Sequence, residues 1–132
     1  MSNDENAKYF DLYTTGIRYL NHVREVTPKE GSPFLSVTIA ALRGSVDDVQ
    51  YTRFECRVSG KQAQEIVRQV KPAVEGKLKV LLGFTLSDLF AEPFTFKNGD
   101  RAGETGISLK ARLLRVSWAK VDGQPFYSEK AA

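Results

Sequence analysis

Residues 51–84 read YTRFECRVSGKQAQEIVRQVKPAVEGKLKVLLGF, and the fold turns on how this stretch is parsed. At its start Tyr51, Arg53, Glu55 and Arg57 alternate with Thr52, Phe54, Cys56 and Val58. A period of two sends the two sets to opposite faces of a strand. Phe54, Cys56 and Val58 belong inside, which leaves Tyr51, Arg53 and Arg57 on an open sheet face. Ser59 and Gln62 have the spacing of a capping box, which would satisfy unpaired backbone donors at a helix start. Ala63, Ile66, Val67, Val70 and Val74 then recur at helical spacing as one apolar stripe. Pro72 lacks the amide hydrogen a helix would use, so the regular helix is expected to end or kink near Val70. Gly76 is placed to terminate it, and Lys77 to Leu82 returns as a strand.

Around this core the composition sets bounds. A chain of 132 residues, 42% hydrophobic and 27% charged, is the size and make-up of one globular domain able to bury a core without staples. One cysteine, Cys56, rules out an internal disulfide framework. One histidine, His22, leaves no Cys/His zinc site, and no metal or other cofactor is expected. No apolar run approaches the roughly 20 residues that span a bilayer. The start, MSNDENAKYF, lacks the basic and apolar regions of a signal peptide. A cytoplasmic setting with no membrane partner is the expectation. The net charge of +3 permits a nucleic-acid partner without arguing for one.

Outward from the centre, residues 1–8 read as a flexible segment, 9–127 as a single domain and 128–132 as a short tail. Gly16 to Thr27 carries Ile17, Leu20, Val23 and Val26, and its β-branched residues favour a bent strand with a bulge. Pro28 to Pro33 is a turn. Phe34 to Ala41 alternates, with Leu35, Val37 and Ile39 inward and Phe34, Ser36 and Thr38 outward. Arg43 to Asp48 is a polar connection, so the first three strands form a meander. Beyond Phe84, the phenylalanines Phe90, Phe94 and Phe96 precede a Gly-rich turn from Lys97 to Gly106, which reads as an extended arm or hairpin. Ile107 to Val121 is the last long strand. Asp122-Gly123 is a turn, and Phe126-Tyr127 adds a short final pairing. Phe54, Phe84 and Trp118 are expected in the core.

Five strands with one helix between the third and fourth is the order of the OB-fold, a five-stranded Greek-key barrel. An SH3-like barrel lacks the central helix. A ferredoxin-like domain needs a helix between the first two strands, where only PKEGSP stands.

The segments TGIRYLNHVREV, PFLSVTIAAL, FECRVSGKQAQEIV and KVLLGFTLSDLF follow the order seen in bacterial single-stranded-DNA-binding proteins, which the chain resembles. Through YLNHVREVTPKEG and SLKARLLRVSWAKVDG it is more closely similar to a family of replication proteins of unknown function carried on integrative and conjugative elements. That resemblance implies a bacterial mobile-element origin and a role near DNA replication or transfer. It also implies a stacking role for Phe90, which stands where the single-strand binders carry an aromatic. Arg53 departs from the pattern, occupying the place of a strand-three stacking tryptophan, and Tyr51 is the neighbouring ring able to substitute. The terminal QPFYSEKAA carries no acidic run, so recruitment of enzymes through an acidic tail is not expected.

Sequence-tolerant binding of single strands needs rings for bases and cations for phosphates on one surface. The candidates are Phe34, Tyr51, Arg53 and Arg57 on the second and third strands. Phe90, Phe94, Phe96, Lys97 and Arg101 lie on the arm, and Lys110 and Arg112 open the last strand. Phe94 and Phe96 serve equally well as ligand contacts or as an interface between copies. No catalytic constellation is present: Asp47-Asp48 suits a turn, GDRAGETG lacks the ending of a phosphate-binding loop, and Cys56 is expected buried. The expectation is a non-enzymatic single-stranded-DNA-binding protein that forms a homo-oligomer, dimer or tetramer, beside replication or conjugation proteins. The alternative is an interaction subunit that uses the same barrel without touching DNA.

Overall fold

The structure, a computed structural model, describes residues 10–128. The segment 1–8 and all of the tail beyond Ser128 lie outside the described residues. The elements are β1 (Tyr13–Val26), β2 (Phe34–Ser45), β3 (Asp48–Val58), α1 (Lys61–Glu75), β4 (Val80–Thr95), β5 (Thr105–Val121) and β6 (Gln124–Ser128). The sheet runs β3-β2-β1-β4-β5-β6, and a further β3–β5 pairing closes five strands into a barrel. That closure is parallel and joins Glu55–Val58 to Lys110–Leu113. The chain is therefore mostly β with one helix, consistent with an OB-like barrel.

The alternation in β3 sorts its residues as expected, with Phe54, Cys56 and Val58 buried and Tyr51, Arg53 and Arg57 exposed. In β2 the sorting differs. Ser36 and Thr38 are buried along with Leu35, Val37 and Ile39, and at Thr38 the Glu55 side chain, which Arg24 also meets, lies against the outer side of the strand. Thr38 keeps its hydroxyl satisfied by donating to the Glu55 carboxylate at 3.1 Å. Strands β2 and β3 also run closer together in sequence than expected, pairing out to Ser45 and Asp48 around a two-residue turn.

The helix ends where expected, at Gly76, and departs from expectation at its start. It passes through Pro72 to Glu75, since Ala73 and Val74 continue the apolar stripe and pack against the core. It then closes with Lys77 N–H on the Val74 carbonyl and Leu78 N–H on that of Ala73, with Lys77 in the left-handed region at φ 69. At its start no side chain caps the helix. Gln62 instead clamps β5: its amide donates to the Val116 carbonyl at 2.7 Å and accepts from the Val116 N–H at 3.0 Å. The edge of β5 pairs with β3 up to Leu113 and with β6 from Trp118, and the Gln62 amide fills the gap as a strand would. Gly60 makes this approach possible, because a Cβ there would stand 1.9 Å from the Leu114 carbonyl oxygen.

Of the five register shifts in the ladders of the described residues, two set the side-chain directions that matter below. The register of β1 shifts between Asn21 and Arg24, with His22 at φ 54, which turns Val23 into the core and Arg24 outward. The register of β4 against β5 shifts between Ser87 and Phe90, with Asp88 at φ 58. Trp118, expected inside, is half-buried, lying across the outer surface of Gly83, and Ile17 beside that glycine is exposed. Ser128 ends β6 rather than opening a tail. Among the described residues, no helix is long and apolar enough to cross a membrane.

Candidate nucleic-acid interface

A groove of about 550 Å³ lies across the β3–β5 closure. Its rings are Phe34, at the start of β2, and Phe90, which the β4 bulge turns outward to 55% exposure. Its cations are Arg24 from β1, Arg57 from β3, and Lys110 and Arg112 from β5. The parallel register sets Arg57 beside Arg112 and Glu55 beside Lys110, and Phe90 lies beside Lys110 on the other flank. On the far side of Arg57 a second hollow of about 550 Å³ shares Phe34, Arg57 and Arg112 and adds Arg68.

The cations are held in different ways. Arg57 lies over the Phe34 ring at 4.2 Å and makes no ion pair among the described residues. A guanidinium spread on a ring in this way offers its other face to a base or its edge to a phosphate. Arg112 is fixed from both sides, donating to Ser59 Oγ at 2.9 Å and standing 3.6 Å from Asp88. Arg24 meets Glu55 at 3.2 Å and donates to the His22 carbonyl at 3.0 Å, while Lys110 lies 3.6 Å from Glu92. Those carboxylates position the cations without burying them, so the charges stay reachable from solvent.

Of the residues read from sequence, Phe34, Arg57, Phe90, Lys110 and Arg112 come together here. Tyr51 and Arg53 share the outer face of β3 but lie toward its other end, where Tyr51 stacks on Tyr19 at 6.2 Å. Phe94, Phe96, Lys97 and Arg101 sit at the far end of the β4–β5 hairpin. There Phe94 and Phe96 meet edge to face at 4.8 Å, and Arg101 covers Phe96 at 4.3 Å while pairing with Glu104 at 3.1 Å. Gly106 leaves room for both rings, since a Cβ there would stand 2.7 Å from Phe94. Sequence reasoning missed Arg24 and Arg68. Arg24 carries no signal until the bulge is located, because period-two counting through β1 sends it inward.

Cys56 lies beneath the groove, and burial, reinforced by neighbouring Glu55, pushes its thiol up to about 12. It is therefore a packing residue under the site rather than a nucleophile in it. Among the described residues, no three His, Cys, Asp or Glu gather as a metal site would require.

A family model described as "Protein of unknown function (DUF3577)" matches residues 3–132. No curated protein and no solved structure matches the chain.

Proposed function

We propose that this chain, which belongs to the DUF3577 family, binds single-stranded DNA without catalysing a reaction and serves the replication or transfer of a mobile genetic element. The carrying observation is the groove itself: the Phe34 and Phe90 rings and four cations face one channel across the barrel closure. We read the barrel as a Greek-key OB-fold, whose ligands lie between the loop after the first strand and the loop before the last. On that reading the groove, which runs from Val26 and Phe34 to the stem of the β4–β5 hairpin, corresponds to the ligand location. In this reading Phe90 stacks on a base, the Arg57–Phe34 pair stacks on a second, and Arg24, Lys110 and Arg112 neutralise phosphates. Each stacked base is worth about 1–3 kcal/mol. The mobile-element setting is supported by the resemblance of YLNHVREVTPKEG and SLKARLLRVSWAKVDG. A second reading, docking of another copy of the chain, is favoured by Phe94, an apolar ring 42% exposed at the hairpin end.

The test is a fluorescence-anisotropy titration with unstructured single strands against duplex. Single strands should bind preferentially, and affinity should fall steeply as salt rises. Arg57→Ala with Phe90→Ala should weaken binding by at least tenfold without lowering the melting temperature, since both side chains are exposed. No binding at low salt would overturn the proposal. Light scattering on Phe94→Ala addresses assembly: a smaller particle with unchanged DNA affinity assigns the hairpin end to self-association.

A further inference from the structure

Tyr51 and Arg53 belong to a second surface on the barrel exterior. Ladder partners line up across five strands: Arg53 beside Ala40, Ala40 beside Tyr19, Tyr19 beside Leu81, and Leu81 beside Lys120. In the adjoining row Tyr51 lies beside Leu42, while Ile17 lies beside Gly83 and Gly83 beside Trp118. The Tyr19 and Tyr51 rings stack with planes 24° apart. The Arg18 guanidinium stands 4.9 Å and the Lys79 ammonium 5.9 Å from the Tyr19 ring, and Lys120 stands 5.8 Å from Trp118. Ile17 and Tyr51 are 43% and 45% exposed. Tyr19, Leu42, Leu81 and Trp118 are half-buried around them, and apolar side chains left open to solvent on one face mark a surface that meets something.

Charge decides what it meets. Neither row contains a carboxylate, and the cations are Arg53, Lys120 and, at the margin, Arg18 and Lys79. A second copy laid on this face would set those cations against their own kind. A strand of phosphates carrying flat bases would neutralise them and stack on the rings. Arg18 adds a further mark. Its Nε is buried with no hydrogen-bond partner, and its backbone is held at φ 136. Strain of that kind gathers at ligand sites. A cleft of about 730 Å³ opens beside Tyr19, with Asn21, His22, Lys77 and Lys79 on its walls and one carboxylate, Glu75, among them.

We propose that this face is a second stacking platform for the same single strand that occupies the groove, so that one strand runs from Phe90 along β3 to Tyr51 and then across the outside of β2, β1 and β4 to Trp118 on β5. The proposal rests on the strand-binding reading of the groove. From Arg57 to Tyr51, β3 covers about 20 Å at ~3.4 Å per residue, so a short oligonucleotide fills the groove alone and a longer one reaches both.

Trp118 is the single tryptophan of the chain and reports on the platform directly. The full chain is titrated with oligothymidylates of about 4 and about 16 nucleotides, which bracket the usual span of one barrel, following both anisotropy and Trp118 emission. The long strand should bind more tightly and quench Trp118, and the short one should bind without quenching. Tyr51→Ala with Arg53→Ser should weaken the long strand by about tenfold and leave the short one unchanged. Equal affinity at both lengths with unaltered Trp118 emission overturns the platform while leaving the groove intact. Absence of binding at either length removes the groove reading and the platform with it. A change of particle mass in the double variant, with DNA affinity intact, also overturns the platform and gives the face to a second copy.

Discussion

Cys56 stands between two charged neighbours, Glu55 and Arg57, yet its side chain is almost fully buried because β3 alternates. The consequence is a measurable pH dependence. In the unfolded chain the thiol releases its proton from about 9.0, whereas in the fold, where burial and then Glu55 oppose the thiolate, it holds the proton to about 12. Between those values the unfolded state binds fewer protons, so stability falls as pH rises. The contribution of the neutral thiol is fully present below 9.0 and is lost as pH climbs toward 12. Denaturant midpoints for the native chain should therefore drop more steeply across that window than those of Cys56→Ala, in which every other titrating group is kept. Equal slopes would place the thiol in contact with water. The same burial makes alkylation of Cys56 near neutral pH proceed only through unfolding, at a rate that follows denaturant.

Gln62 shows what holds an element in place and why part of it escaped the sequence. Its amide pairs with both backbone groups of Val116, 54 residues away, and its Nε2 also donates to the Tyr127 hydroxyl at 2.8 Å. Gln62→Ala would strand a buried N–H and a carbonyl, each costing about 1–3 kcal/mol. Gln62→Glu should fall between the two, since a carboxylate accepts from the N–H but donates nothing to the carbonyl. Urea unfolding of the three chains measures the order, and an Ala variant as stable as the native would exclude the clamp. Local spacing suggested a cap because Ser59 and Gln62 are three apart, whereas the partner that wins is distant. The same reason explains the two bulges: ladder partners fix where a strand gains a residue, so the outward turn of Arg24 is invisible in β1 alone. What local pattern does settle is the alternation of β3 and the apolar stripe of α1, and those were legible. Pro72 was read as an end or a kink because its missing N–H is a local loss, yet packing of Ala73 and Val74 carries the helix past it. Alternation assigned Tyr51, Arg53 and Arg57 to one face correctly. It cannot say which end of the face each occupies, and that separates the groove from the platform.

At the scale of the whole molecule, the barrel is closed by a short parallel seam, Glu55–Val58 against Lys110–Leu113, and the groove lies across it. The seam brings Arg57 and Arg112 side by side, with Lys110 next along the strand. Like charges in ladder contact weaken a pairing, here partly offset by Glu55 beside Lys110 in the seam and by Asp88 and Glu92 at its margin. Under the proposed function, a polyanion in the groove would supply counter-charge on both strands at once and so couple binding to closure. Ligand binding to the folded state stabilises it by about 2.7 kcal/mol at a hundredfold excess over Kd. For a domain of this length that corresponds to a melting shift of roughly 5–15 °C. Single strands at low salt should therefore raise the melting temperature by that order and slow amide exchange most at the seam residues of β3 and β5. Salt should act with opposite signs on two observables: it screens the seam and steadies the free protein, while it weakens the complex and erases the ligand-induced shift. Arg57→Ala should lose most of the shift and make the free protein less sensitive to salt. A native shift retained in Arg57→Ala, or exchange slowed only in α1 and β6, would move the strand off the closure.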